Sequence, residues 1–230
     1  MARWLVFGDS HIAPFRKAVE LGLLPPDTGL LEVRGATAMG LANRQSVTGA
    51  LERFEAGLLP PRPGSLPVMQ LGEVDCGFVI WYRAEKHHLP VADQMEKSIE
   101  RYFAFADRLL AAGYPGVVIT GATVPTIRDG QDWGEVAHLR REVQTTLVAR
   151  TQLTLAYNAR LRQGAAARGL PFVCIADQVL DPATGVVKDF YRRKNPLNHH
   201  LHAARAAELW AAALNALPLP ALLAGGKAPA

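Results

Sequence analysis

Arg3-Trp4-Leu5-Val6-Phe7-Gly8-Asp9-Ser10-His11 opens the chain with an apolar run that shows no polar alternation and then breaks into glycine and polar groups. A run so short and so uniformly apolar suits a strand buried on both faces, as in a parallel sheet covered by helices. The pattern recurs at Leu66–Leu71, Gly116–Thr120 and Leu170–Ile175, and more weakly at Leu30–Val33. Helical patterns fall between these runs, at Leu41–Leu58, Val91–Ala112 and Glu135–Arg168, and His200–Leu214 follows the last strand. Strand and helix therefore alternate. The expected architecture is α/β: a three-layer, doubly wound sheet of five parallel strands.

At 230 residues and 49% hydrophobic, the chain suits one core and one domain, expected over 1–216, with 217–230 as a flexible tail that ends in Gly-Gly-Lys-Ala-Pro-Ala. The net charge of +4 is scattered, with no run of like charges, so no nucleic-acid partner is expected. No stretch has the length of an apolar membrane span, and the apolar start is too short for a secretory leader, so the expectation is a cytoplasmic protein with no membrane partner. Cys76 and Cys174 both sit beside apolar segments that read as strands, which suits reduced, buried thiols. Neither Gly-x-Gly-x-x-Gly nor Gly-Lys-Ser/Thr occurs, so no nucleotide cofactor is implied. His87-His88 and His199-His200-Leu201-His202 lack the Cys or carboxylate spacing that would complete a site, and no metal is expected.

In open α/β sheets reactive groups gather beyond the carboxyl ends of the strands. Those ends are Gly8–His11, Val33–Gly40, Gly72–Gly77 and Gly121–Asp132. Gly8-Asp9-Ser10-His11 places a hydroxyl at a strand-to-helix junction, where free backbone N–H groups and the positive end of a helix dipole are available to a serine nucleophile. Asp9 and Ser10 are also favoured helix N-caps, and the tetrapeptide alone does not separate the two roles.

Gly35, in Arg34-Gly35-Ala36-Thr37-Ala38-Met39-Gly40 after the second strand, adds to the first block, and together they resemble the SGNH (GDSL-like) hydrolase superfamily. The resemblance runs over nearly the whole chain, to about Leu214, and includes Arg150–Leu161, which is similar to the Asn-x-x-Leu helix these proteins carry ahead of their fifth strand. It implies the SGNH variant of the flavodoxin-like fold, with Ser10 as nucleophile and the N–H groups of Ser10 and Gly35 in an oxyanion hole. Gly35 and Gly40 also permit a tight turn on their own account. Two blocks depart from the family. Gly72-Glu73-Val74-Asp75 puts Val74 where the family has an oxyanion-binding asparagine, leaving His11, Tyr82 and Arg83 as candidate replacements; Glu73 and Asp75 suit loop-capping carboxylates as well as substrate contacts. Asn195-Pro196-Leu197-Asn198-His199-His200-Leu201 aligns His200 with the catalytic base but puts Leu197 where an aspartate belongs, leaving Asn198, Asn195 or Asp189 to orient the imidazole.

The resemblance thus implies a serine-dependent esterase or acyltransferase acting through Ser10 and His200, without cofactors, on a short acyl ester of a small molecule or a carbohydrate. Asp9, His11, Glu73, Asp75, Tyr82, Arg83 and Asn198 are the orienting or substrate-contacting candidates, and the sequence leaves the oligomeric state open. The two departures motivate an alternative, a weak or inert SGNH-like module that binds a ligand. Ser10, Gly35, Val74 and His200 should converge at one edge of the sheet.

Overall fold

The computed structural model describes residues 3–130, 143, 145–195 and 198–225. Its sheet has five parallel strands in the order β2-β1-β3-β4-β5: β1 (Arg3–Gly8), β2 (Gly29–Glu32), β3 (Ser65–Gln70), β4 (Val118–Thr120) and β5 (Phe172–Val173). All five expected runs are strands. β1 and β3 run in register from Arg3↔Ser65 to Gly8↔Gln70, and β1 pairs on its other side with β2 from Leu5↔Gly29 to Gly8↔Glu32.

The absence of alternation in β1 follows from helices on both faces. Leu5 and Phe7 pack with Phe54 of α2 (Ala50–Leu58), with Tyr102 and Phe105 of α4 (Val91–Ala111) and with Leu161 of α5 (Leu147–Ala167). Trp4 and Val6 face the other way, into a cluster with Phe15 of α1 (Ala13–Glu20) and Trp210 of α6 (Ala203–Asn215). Between β3 and α4 lies α3 (Ile80–His87). Each inward residue has an apolar neighbour on its own side of the sheet, so burial of both faces supplies the dominant driving force.

Several boundaries differ from the sequence expectation. The helix expected over 41–58 begins only at Ala50, because Gly49 adopts a left-handed conformation (φ 56°) and the preceding segment makes a 3-10 turn at Met39–Ala42. The pattern expected over 135–168 forms a helix from Leu147, where Thr146 caps the N-terminus by accepting from the Ala149 N–H; 131–142 and 144 lie outside the described residues. Trp81, Tyr82 and Arg83 belong to α3, continuous with a π-helical turn at Asp75–Val79 that also holds Cys76, so Cys76 is a helical and not a strand-side thiol. The chain stays packed beyond 216: Leu219–Leu223 forms a short helix with Leu222 buried in the Trp4 cluster, and 226–230 lie outside the described residues. Among the described residues, no helix is long and apolar enough to cross a membrane.

Two features aim the chain ends of the sheet at one place. A side chain at Gly8 would put its Cβ 1.9 Å from the Gln70 carbonyl oxygen, so glycine is what lets the end of β1 lie against β3. On the far side, α5 turns polar groups inward. Asn158 accepts from the Ala122 N–H (2.7 Å) and donates to the Ala122 carbonyl (3.1 Å), and Arg150 donates to the Ile127 carbonyl (2.8 Å). These bonds satisfy the buried backbone that follows β4 and explain why α5 lacks a clean apolar stripe.

Candidate active site

In the sheet order 2-1-3-4-5 the connections leave β1 and β3 in opposite directions, and the crevice beyond their ends is the switch point at which such folds bind ligands. Ser10 follows β1 directly. It starts a 3-10 turn, Ser10–Ile12, capped by Asp9, whose Oδ1 accepts from the His11 N–H (2.8 Å). Asp9 is therefore the cap, and the Ser10 hydroxyl is left to point elsewhere.

It points at His200. Ser10 Oγ lies 2.8 Å from His200 Nε2 across 190 residues of sequence. The His200 turn is held in place by an isolated antiparallel bridge, Arg192↔Leu201, by the His202 N–H on the Tyr191 carbonyl (2.7 Å), and by the Thr126 hydroxyl, which donates to the His199 carbonyl. Thr126 belongs to the loop after β4, so the end of that strand helps to hold the His200 turn.

The partner of His200 settles its tautomer. Asn198 Oδ1 lies 3.0 Å from His200 Nδ1 and also accepts the His200 backbone N–H at 3.1 Å. A backbone N–H only donates, so the atom facing it is the amide oxygen; Nδ1 must then carry the proton, and Nε2 is bare and accepts from the Ser10 hydroxyl. Asn198, two residues before the histidine, is thus the side chain that orients the His200 imidazole. Leu197 lies outside the described residues. Asp189 instead pairs with Arg128 (2.8 Å) and Arg192 (3.2 Å). Burial, with His11 and His199 beside it, pushes His200 down to about 2. It is a neutral imidazole at ordinary pH.

The carboxylates gather on the other side. His11, buried at 3% exposure, has Asp9 Oδ1 3.1 Å from Nδ1 and Glu73 Oε2 3.6 Å from Nε2, and its ring centre is 4.7 Å from that of His200. Asp75 is fully buried and accepts from the Ala38 N–H (2.8 Å), the Met39 N–H (2.9 Å) and the Ser98 hydroxyl (2.9 Å). It is a loop clamp that ties the segment after Gly35 to the end of β3; with every oxygen turned to protein it is no substrate contact. Burial, helped by the charge of Asp9, raises its carboxyl to about 6 against the opposing pull of those three bonds.

Gly35 has φ +70°, a conformation that strains any side chain, and the turn it makes is closed by the Ala36 N–H on the Val33 carbonyl. Val74 opens the helical turn between two buried acids, is half-buried, and has no group to donate to an oxyanion. Neither Tyr82 nor Arg83 is a replacement donor. Tyr82 stacks on Phe78 and receives Lys86 Nζ (3.1 Å), while Arg83 donates to Gln94 (3.1 Å), which fixes both on the flank of α3.

Sequence reasoning passed over Thr126, Ser98 and Gln70. Gln70 is buried at the end of β3, where it receives the Thr120 hydroxyl (2.6 Å) and donates to Thr123 (3.2 Å), locking the β4 loop to β3. A polar residue ending an otherwise apolar run was the available signal. It also passed over a metal arrangement: one ring nitrogen from each of His11, His199 and His200 lies within 4.8 Å of the others. Three imidazoles suit a divalent transition metal, but a metal there would take His200 from Ser10, so the two uses exclude each other.

No protein-family model and no curated sequence matches the chain. Solved structures do. A protein assigned as an acylhydrolase from Bacteroides fragilis is similar at 14% identity with a TM-score of 0.59, over 93% of this chain and 86% of that one. An arylesterase assignment from Agrobacterium tumefaciens is similar at 15% identity and 0.58, over 97% and 100%, and a GDSL-like lipase from Bacteroides thetaiotaomicron at 15% and 0.56, over 93% and 85%. The chain carries the fold of the SGNH hydrolases, at a sequence distance that makes it a divergent example of it.

Proposed function

We propose that the protein is a serine esterase in which Ser10 attacks a carboxylic ester and His200 is the base. The observation that carries this reading is the continuous line Ser10 Oγ, His200 Nε2, His200 Nδ1, Asn198 Oδ1, with links of 2.8 and 3.0 Å. The named activities of the similar structures, an acylhydrolase, an arylesterase and a lipase, agree with it.

In the reaction the Ser10 oxygen forms a bond to the carbonyl carbon as its proton passes to His200 Nε2. The carbonyl oxygen becomes an oxyanion, received by the N–H groups of Ser10 and Gly35. Collapse breaks the bond to the alcohol oxygen, which takes the proton back from Nε2 and leaves an acyl-Ser10 ester. Water, or an acceptor hydroxyl in the case of acyl transfer, then repeats the sequence in reverse. Short acyl groups, on a carbohydrate or another small alcohol, are the substrates this reading favours. Asn198 holds the imidazole in the productive tautomer but brings no charge to stabilise the imidazolium, so catalysis is slow beside that of a carboxylate-supported triad.

A fluorophosphonate probe with peptide mapping tests the proposal. Labelling at Ser10 in the native protein, lost in His200→Ala, supports it. A folded protein that takes no label at Ser10 overturns it in favour of a ligand-binding module, the reading that Val74 and Leu197 motivate.

A further inference from the structure

A cavity of about 910 Å³ opens beside the catalytic line, with Asn198 in its wall. That size is enough for a substantial ligand. Its described lining comes from Thr126–Gly130 beyond β4, from 189–195 and Asn198 before the His200 turn, and from His202 and Arg205 at the start of α6, and each of the three contributes cations. Arg128 and Arg192 share Asp189, and Asp129, the other carboxylate of the lining, lies 3.5 Å from Arg150. The remaining three cations have no carboxylate within 4 Å among the described residues. Arg193 donates to the Leu201 carbonyl (3.3 Å), Arg205 lies over the Phe190 ring (4.1 Å) and donates to the Phe190 carbonyl, and Lys194 is exposed at the rim.

Guanidinium groups fixed by backbone carbonyls and a ring face are preorganised, so they bind an oxyanion with little further loss of side-chain freedom. Crowding is already felt: Arg192 is lowered by burial and by its neighbour Arg128. Among the described lining residues, five cations against two committed carboxylates do not collect in one concavity for solubility, which scattered charge serves as well.

The position of the cavity says which part of a substrate it meets. His200 must deliver a proton from Nε2 to the departing alcohol, so the ester oxygen lies at the Ser10 end of the line; the cavity meets the line at its Asn198 end, on the Nδ1 side, and is placed for a group at the far end of the alcohol portion. We propose that the substrate is an ester whose alcohol portion carries an oxyanion, a phosphate, sulfate or carboxylate, bound in this cavity by Arg193, Lys194 and Arg205. This rests on the esterase reading for its place in the reaction, and on the cavity alone for binding.

The kinetic test compares 4-acetoxybenzoate with its neutral analogue, methyl 4-acetoxybenzoate. The anionic ester should show kcat/KM higher by about tenfold, the worth of one good ion pair, and the ratio should fall toward one in Arg193→Gln/Lys194→Gln and at high salt. Equal values for the two esters, or a ratio untouched by the double substitution, overturn the proposal. The binding test uses inorganic phosphate and inorganic pyrophosphate by calorimetry on Ser10→Ala, which needs no turnover. One-to-one binding lost in the added double substitution supports the cavity, and absence of binding or its survival in that variant overturns it. Failure of Ser10-dependent cleavage of both esters overturns the esterase reading instead, and leaves the calorimetry to decide the anion site.

Discussion

The site contains the same turn twice. In Asp9-Ser10-His11 and in Asn198-His199-His200 the Asx Oδ1 faces both the backbone N–H and Nδ1 of the histidine two residues on, at 2.8 and 3.1 Å in the first and 3.1 and 3.0 Å in the second. The geometry is common and the charge is not. Asp9 gives His11 a carboxylate, with Glu73 on the opposite nitrogen, and the whole group is buried. Asn198 gives His200 a neutral amide, and the opposite nitrogen meets the Ser10 hydroxyl. The Asx side chain fixes ring orientation whatever its charge, so orientation and electrostatic support are separable here. His11 has both; His200 has orientation alone and is held neutral by burial and its histidine neighbours.

The largest test breaks the symmetry between the two histidines. Ser10→Ala and His200→Ala should each lower kcat/KM by at least about 10³-fold, and the double variant should lose little more, because the two act as one unit. His11→Asn should instead show itself in a lowered melting temperature, since it leaves Asp9 and Glu73 buried without their shared partner, while fluorophosphonate still labels Ser10. Steady-state rates, thermal melts and labelling on the three variants decide it; loss of labelling in a folded His11→Asn would put His11 in the reaction.

Exchanging the charge comes next. Asn198→Asp keeps the acceptor oxygen in place and adds the missing charge, so turnover at neutral pH should rise about tenfold or more, toward the worth of a triad carboxylate. The pH profile gives the sign. In the native protein His200 has a depressed value, so it stays an active neutral base as pH falls, and the stability it contributes, present above the ordinary value near 6.5, is lost on the way down to about 2 as the unfolded chain takes the proton first. A carboxylate beside it raises that value, and the acid limb of kcat/KM should move to higher pH in the variant. A faster enzyme with an unmoved limb means that another group limits the native rate.

That half of the site was legible from the chain and half was not has a physical basis. Ser10 sits just after a strand whose apolar run marks it, so β1 delivers it to the switch point by topology alone, and Gly35 follows the neighbouring edge strand β2. The His200 turn has no strand before it. It reaches Ser10 through the Arg192↔Leu201 bridge and through the Thr126 hydroxyl, which lies 73 residues away in sequence from the His199 carbonyl it holds. The triad spacing pointed to position 197, but the acceptor is Asn198, and its signal was the Asx-x-His spacing already present at Asp9. Tyr82 and Arg83 misled because an apolar stretch after β3 continues into π-helical and helical turns, and short runs do not reveal that change of period.

The dependence of the second turn on Thr126 makes a third, smaller test. Thr126→Val keeps the shape and removes the hydroxyl from the His199 carbonyl, a loss of about 1 kcal/mol. If that bond serves to position His200, kcat/KM should fall about fivefold with the melting temperature nearly unchanged. The corresponding Asp9 turn follows β1 directly, with Glu73 of the segment after β3 facing its histidine. An unchanged rate would show that the Arg192↔Leu201 bridge is sufficient on its own.

The smallest expected effect lies at Val74, between the two acids that distinguish the His11 side. Val74 is half-buried, helical, and outside both apolar clusters, so Val74→Asn costs little packing. Asparagine brings back the amide that the fold's oxyanion hole ordinarily has, and a well-placed donor is worth ~3 kcal/mol in the transition state. Glu73 and Asp75 oppose the full gain. Asp75 must keep both oxygens on the Ala38 and Met39 N–H groups, which fixes the turn, and the new amide is also within the neighbourhood of Glu73, a competing acceptor. The balance predicts a severalfold rise in kcat with KM for a neutral aryl ester little changed, since a donor to the oxyanion acts in the transition state and not on the bound ester. A rise in KM with kcat unchanged would mean that the amide had turned to Glu73 and only crowded the crevice. No change in either constant would mean that an existing donor already fills the position.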